Sequence, residues 1–334
     1  MEQPSVIARR DGRIGRLQLN RPRALNALDQ TMIRRLRAAL AGWRDDPLVH
    51  AVVIEGESGR AFCAGGDVRA VRQHVLDGGA DPADRFFAEE YALNQTIADY
   101  PKPYIALIDG ICLGGGIGVS VHGSARVVTE TAALAMPETG IGFFPDIGAS
   151  YVLPRLPGAL GMFLGLTGTR LTGADAVHGG LATHFVPKDR LAALSAALAE
   201  DGVAALAGFA AALPDFSLAE HRPAIDRCFS AGDIREVFAR LAAEKSPWAA
   251  ETLTALRRRS PSALAWSFAL LRRGVQRSLP QCLEAELALA GEVTRHPDFL
   301  EGVRAVVVDK DHQPRWSPPT LEEVDFAAIA AVVG

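Results

Sequence analysis

Two stretches of the chain repeat one another in kind. AVVIEG (51–56) runs into FCAGGD (62–67), and YIALIDG (104–110) runs into LGGGIG (113–118). In each, an apolar strand ends at an acid-glycine pair, a short connection follows, and a glycine cluster opens what reads as a helix. Two such turns imply a repeated ββα unit, and with it an α/β fold. They also imply a chemistry. Each would place glycine N–H groups at a helix start, where unpaired donors and the helix dipole favour negative charge.

Around this pair the chain is legible in outline. Residues 5 to 20 read as a β-hairpin about Asp11-Gly12, a dipeptide that tolerates the positive φ of a tight turn. Asp29 reads as the N-cap of a helix carrying Met32, Ile33, Leu36, Leu40 and Trp43 at helical spacing, ending near Asp45 to Pro47. From Leu191 onward strand signals fade and Ala/Leu-rich helical segments dominate until the strand-like run GVRAVVVDK (302–310). A boundary is expected near 190 to 215, with LPDF (213–216) as the connection. The expected division is a core over 1–212 and a mainly helical region over 213–334 that packs on it and helps to close a shared site.

A formal charge of −4 over 334 residues gives no bulk electrostatic reason to bind nucleic acid or a membrane, and there is no basic-aromatic stripe. Cys63, Cys112, Cys228 and Cys282 are widely separated and form no CxxC pair, so neither a zinc site nor a disulfide framework is indicated. The first residues, MEQPSVIARRDGRIG, lack the apolar core of a signal peptide, and no run of about 18 apolar residues follows. These features predict a soluble protein in a reducing, cytoplasmic setting. His122 and His184 have no metal-ligand spacing and read as structural, so no metal is expected. Arg34, Arg35 and Arg37, and Arg257 to Arg259, read as solvated helix faces. Cys63 and Cys112 read as buried packing residues.

The segment MPETGIGFFPDIGAS (136–150) isolates two carboxylates, Glu138 and Asp146, in an apolar, glycine-rich run. Together AFCAGGDV, DGICLGGGIGVS and MPETGIGFFPDIGASYVLPRLPG resemble the crotonase (enoyl-CoA hydratase/isomerase) superfamily. EEYALN (89–94), KPYIALIDG (102–110), LTGTRLTGADAVHGGLATHFV (166–186) and FLEGVRAVVVDKDHQPRW (299–316) resemble its branch that hydrolyses 3-hydroxyisobutyryl-CoA. The resemblance covers nearly the whole chain. It implies a crotonase-like spiral of ββα repeats with a helical C-terminal region, acting on a short branched 3-hydroxyacyl-CoA thioester of valine breakdown. Coenzyme A is then part of the substrate and no separate cofactor is implied. Trimers and hexamers are common among relatives, so a homo-oligomer is compatible.

The resemblance also implies a set of residues. Gly66 and Gly115 match the positions whose N–H groups form an oxyanion hole, where glycine lets a carbonyl approach the backbone closely. Glu138 matches the main catalytic glutamate, as nucleophile or as general base toward water. The second glutamate of hydratases aligns with Gly118, so the acid pair that adds water across a double bond is incomplete. An enoyl-CoA hydratase or isomerase is therefore the rival enzyme, and a silent acyl-CoA-binding or scaffold protein the rival of another class. Asp146 is implied as reader of the substrate hydroxyl, although its place before a new helix also reads as an N-cap. Glu90 is implied as a contact to the acyl hydroxyl or to water. For coenzyme A the expected contacts are the backbone of Ala64, the stretch Arg23 to Leu25, and Lys310, whereas Asp67 reads as a helix cap.

Overall fold

The computed structural model describes residues 4–57 and 59–333. They fall into two compact units, each made of several chain segments. The first unit takes residues up to Gly66, Glu89–Ala135 and Arg170–Ser217, and the second takes Asp67–Ala88, Met136–Thr169 and Leu218 onward. The crossing at residues 217 and 218 lies close to the compositional change, but the units also exchange two earlier segments. A single linear boundary at 212/213 does not describe that exchange.

Every described strand belongs to the first unit. Its six-stranded sheet runs β1 (Val6–Asp11), β2 (Ile14–Leu19), β3 (Ala51–Gly56), β5 (Tyr104–Ile108), β7 (Ala125–Val128) and β10 (His184–Phe185). Its four-stranded sheet runs β4 (Ala61–Cys63), β6 (Ile111–Leu113), β8 (Ala133–Ala135) and β9 (Leu171–Thr172). The β1–β2 hairpin is antiparallel with Asp11 opposite Ile14, so the turn residues are Gly12 and Arg13, one place later than Asp11-Gly12. Gly12 has φ +56°, the left-handed region that glycine enters without a Cβ penalty.

The internal repeat is real and occurs three times. β3 then β4, β5 then β6, and β7 then β8 each send one strand to the larger sheet and the next to the smaller, all in parallel register within the sheets. Helices Val68–Leu76 and Gly115–Val121 follow the first two pairs, and the 3-10 turn Glu138–Ile141 follows the third. The third pair escapes a reading by motif because its strands are four and three residues long and no glycine cluster marks its end. Parallel strands need cover on both faces. On one face Val53, Ile105, Leu107 and Val127 pack with Leu194, Leu198 and Leu206.

Those three leucines lie in Lys188–Phe209, a segment long and apolar enough to cross a membrane by length and composition. It holds no uninterrupted apolar run, because Asp189, Arg190, Glu200 and Asp201 interrupt it. Here it serves as the sheet's cover, with Leu194, Leu198, Ala199 and Leu206 turned to the core.

The second unit holds helices and the loops between them, with no strand among its described residues. The run 302–310, read as strand-like, is instead the end of helix Pro297–Val303 followed by a π turn over Arg304–Val308. Its valines have β-branched preference, but such preference counts only beside a strand partner, and this unit has none among its described residues. Arg304 closes the turn by donating to Glu301, Asp309 and Asp311 at 2.6–2.8 Å.

Candidate active site

In the first unit the two glycine turns meet. Gly65 has φ +112°, and a Cβ built on it would lie 4.0 Å from Gly115 N. A Cβ on Gly115 would lie 3.2 Å from Gly66 N and 2.5 Å from a carboxylate oxygen of Glu90. Gly115 is the first residue of its helix, where backbone N–H groups have no intrahelical acceptor. Gly66, Gly115 and Glu90 thus surround one small volume. Glu90, on helix Ala80–Ala98, is 2% exposed. Its neighbour Glu89 instead faces outward, where Arg34 donates twice to it at 2.8 Å and holds it below the usual carboxylate range. The helical period decides which glutamate of the EEY run turns inward.

A residue the sequence did not single out fixes this arrangement. Asn26 is fully buried with φ +58°, and its amide donates to the carbonyls of Ala61 and Phe62 at 3.0 and 3.2 Å. It locks the turn after helix Pro22–Ala24 onto β4. Leu28 N–H then donates to Gly65 carbonyl, and Ala64 N–H to Leu25 carbonyl. The Ala64 amide is thereby used within the protein, so a ligand there would meet its carbonyl. Arg23 lines a cavity of about 790 Å³ together with Arg21, Arg35 and Asp29. The excess of guanidinium suits phosphate, and Arg21 and Arg35 join Arg23 only through the fold.

Glu138 and Asp146 lie in the second unit, 6% and 5% exposed. Glu138 opens the 3-10 turn, and its carbonyl accepts from Phe143 N–H at 3.0 Å. The turn is braced from several sides. Thr139 hydroxyl donates to Leu166 carbonyl at 3.0 Å, and Ser260 N–H donates to Thr139 carbonyl at 3.2 Å. Gly142, at φ +69°, sits so close to Asp298 that a Cβ would meet its carbonyl oxygen at 2.2 Å. Asp298 is fully buried, accepts from Ser260 hydroxyl at 2.5 Å and Ser317 N–H at 2.6 Å, and is pushed up by burial. Between the two acids Phe143 stacks on Phe87 at 5.3 Å and on Phe144 at 4.4 Å. The apolar setting read from Phe143 and Phe144 is present.

The cap position of the following helix is not Asp146, contrary to the N-cap expectation. Helix Ala149–Val152 has Gly148 as its cap residue, at φ +84° and without a local side-chain acceptor. The acceptor comes from Glu286, 138 residues away. One of its oxygens takes Gly148 N–H at 2.6 Å, and the other takes Ser150 N–H at 2.9 Å and Ser150 hydroxyl at 2.5 Å. Gly148 can adopt its φ at no cost, but it brings no side chain, so the cap has to arrive from another element.

Glu286 is fully buried, and desolvation pushes its carboxyl up to about 8 against these three donors, with Asp146 adding in the same direction. Its titration makes stability depend on pH. Between about 4.5 and 8 the folded state holds a proton that the unfolded state has released, so stability is fully present below 4.5 and lost as pH rises through 8. Glu286→Gln cannot titrate. The Tm gap between wild type and this variant should therefore narrow from pH 5 to pH 8.5, by the equivalent of a few kcal/mol. A gap constant with pH in thermal melts would refute the assignment.

Other expected residues fall as follows. Asp67 caps helix Val68–Leu76, accepting from Ala70 N–H at 3.2 Å. Lys310 is exposed, at φ +59°, in the loop after the π turn. Cys63 and Cys112 are buried thiols, and burial pushes Cys63 up to about 12, so neither is a reactive thiolate. His184 contacts Thr183 hydroxyl at 2.8 Å, a structural role. Arg259 departs from the solvated reading: it is half-buried, donates to Thr167 carbonyl at 2.6 Å, and lies 2.5 Å from where a Gly140 Cβ would sit. Gly140 leaves the space that the guanidinium fills.

These features define an acyl-thioester enzyme of crotonase type, and the chain belongs to the enoyl-CoA hydratase/isomerase family, whose description matches residues 14–333. It is similar to the mitochondrial 3-hydroxyisobutyryl-CoA hydrolase of Xenopus tropicalis, 44% identical over 94% of this chain and 84% of that one. The human mitochondrial enzyme of the same name is 42% identical over 96% and 86%. Two solved structures share 41% identity over 99% of this chain and 97% of theirs. One is a carnitinyl-CoA dehydratase from Mycobacterium thermoresistibile with TM-score 0.95, the other an enoyl-CoA hydratase from Rhodobacter sphaeroides 2.4.1 with TM-score 0.93. The crotonase-like fold expected from the motifs is the fold observed.

The cytoplasmic expectation is overturned by these relatives, which are mitochondrial proteins by name. That expectation rested on cysteine spacing, which does not separate one reducing compartment from another.

Proposed function

We propose that this chain hydrolyses 3-hydroxyisobutyryl-CoA to 3-hydroxyisobutyrate and coenzyme A, a step of valine catabolism. The observation that carries this reading is its 42–44% identity, over at least 94% of the chain, to hydrolases of that name. Gly118 supports it. The helix Gly115–Val121 offers no carboxylate at the position where hydratases keep their second glutamate.

In this reading the thioester carbonyl accepts from the Gly66 and Gly115 N–H groups, and the acyl hydroxyl is met by Glu90 and Asp146. Glu138 attacks the carbonyl carbon. The tetrahedral oxyanion collapses, the C–S bond breaks, and the thiolate leaves and takes a proton. Water opens the resulting mixed anhydride and restores the Glu138 carboxylate. In the alternative route Glu138 takes the proton from water as the water attacks. Arg21, Arg23 and Arg35 meet the phosphates of coenzyme A, the Ala64 carbonyl and Leu25 the adenine end, and Lys310 adds a further cation.

The likeness to a carnitinyl-CoA dehydratase and an enoyl-CoA hydratase favours a second reading, hydration or dehydration of an enoyl-CoA. Thiol release from 3-hydroxyisobutyryl-CoA and water addition to crotonyl-CoA, measured in one preparation, separate the readings. The first should exceed the second by at least about 100-fold in kcat/KM, a gap of about 2.7 kcal/mol. The reverse order would replace the hydrolase by the hydratase.

A further inference from the structure

Beneath the Asp146 turn lies a buried acid that neither the motifs nor the proposed reaction uses. Glu286 sits on helix Leu279–Val293 with no exposed surface, and three donors from residues 148 and 150 converge on its carboxylate. Those donors lie two and four residues beyond Asp146. The intervening backbone is held in an unfavourable shape, because Ile147 is a buried β-branched residue at φ +58°, a conformation such side chains avoid. It persists only where neighbours over-determine it.

The neighbours here are identifiable. Glu286 pulls on the N–H groups of Gly148 and Ser150 from one helix, while helix Pro261–Gly274 presses on the same turn from another. A Cβ on Gly274 would lie 1.7 Å from Ser150 carbonyl oxygen, so no room exists for the turn to relax in that direction. Asp146 lies just N-terminal to this clamp. Its backbone carbonyl takes Ala149 N–H at 2.9 Å, which ties it into the same turn.

We infer that Glu286 is a positioning residue for substrate selection: by clamping Gly148 and Ser150 it holds Ile147 in its left-handed conformation and thereby aims the Asp146 carboxylate at the 3-hydroxyl of the acyl group. The inference rests on the reading of Asp146 given above. A misaimed hydrogen-bonding group weakens selection for the hydroxyl specifically, whereas general loosening weakens turnover of every acyl group.

The test is the ratio of kcat/KM for 3-hydroxyisobutyryl-CoA to that for isobutyryl-CoA, which lacks the hydroxyl, measured on the full chain. Asp146→Asn should lower the ratio by at least about 10-fold. Glu286→Gln should lower it in the same direction by at least about 5-fold, through KM of the hydroxylated substrate more than kcat of the other. The double variant should fall no lower than Asp146→Asn alone, since both act through one group.

If Asp146→Asn lowers the ratio and Glu286→Gln leaves it unchanged, the positioning role is overturned and the reading of Asp146 stands. If Asp146→Asn itself leaves the ratio unchanged, that reading falls and the inference with it. Should Glu286→Gln not fold, Glu286→Asp withdraws the same carboxyl group by one methylene, and its ratio decides in the same way.

Discussion

Glu138→Gln is expected to lower turnover of 3-hydroxyisobutyryl-CoA by roughly 10²- to 10⁴-fold if the residue is a general base, and by more if it is the nucleophile. The substitution keeps shape and removes the attacking charge. The turn that carries residue 138 is braced by Thr139, Ser260 and Gly142, none of which involves the Glu138 carboxylate, so the fold should be retained. KM should change little, because the lost interaction belongs to the reacting atoms rather than to binding of the long coenzyme A moiety. Steady-state thiol release with a thermal melt checks both halves. A variant within about 10-fold of wild type would remove Glu138 from its proposed role.

The second large effect is expected at Gly115, and a neighbouring glycine supplies its control. A methyl at residue 115 would stand 3.2 Å from Gly66 N and displace the Glu90 carboxylate, in the volume proposed for the substrate oxygen. Its backbone is helical and needs no positive φ. Gly115→Ala should therefore cost about 10²- to 10³-fold in kcat, as loss of an oxyanion donor does, with a nearly unchanged Tm.

Gly116 differs by one position and in kind. A Cβ there would meet Cys63 carbonyl oxygen at 2.4 Å and Cys63 Cβ at 2.9 Å, both in a buried strand that cannot yield. Gly116→Ala should lower Tm by several degrees, through overpacking of about 1–3 kcal/mol. If Gly115→Ala destabilises as much as Gly116→Ala and retains turnover, residue 115 is a packing glycine and the proposed oxyanion hole is misplaced.

The hairpin, the Asp29-capped helix, the two glycine turns and the acid pair Glu138 and Asp146 were all legible along the chain, because each is set by residues a few positions apart. Asp29 accepts from Met32 N–H at 2.8 Å, a contact written in adjacent letters. The third strand pair was not legible, since its strands are too short for a periodic signal. Nor were Asn26, Glu286 and Asp298, whose partners lie 35, 138 and 38 residues away along the chain.

Neighbouring residues alone set the ββα repeat, the chemistry on offer and the absence of an acid at Gly118. Who caps the helix after Asp146, and why Gly140 and Gly142 must lack side chains, follow from packing between distant elements. The physical reason is one of range. Turns, caps and periodicity are short-range properties of the backbone. A buried carboxylate is tolerated only where donors converge on it, and those donors are assembled by packing between elements far apart in the chain.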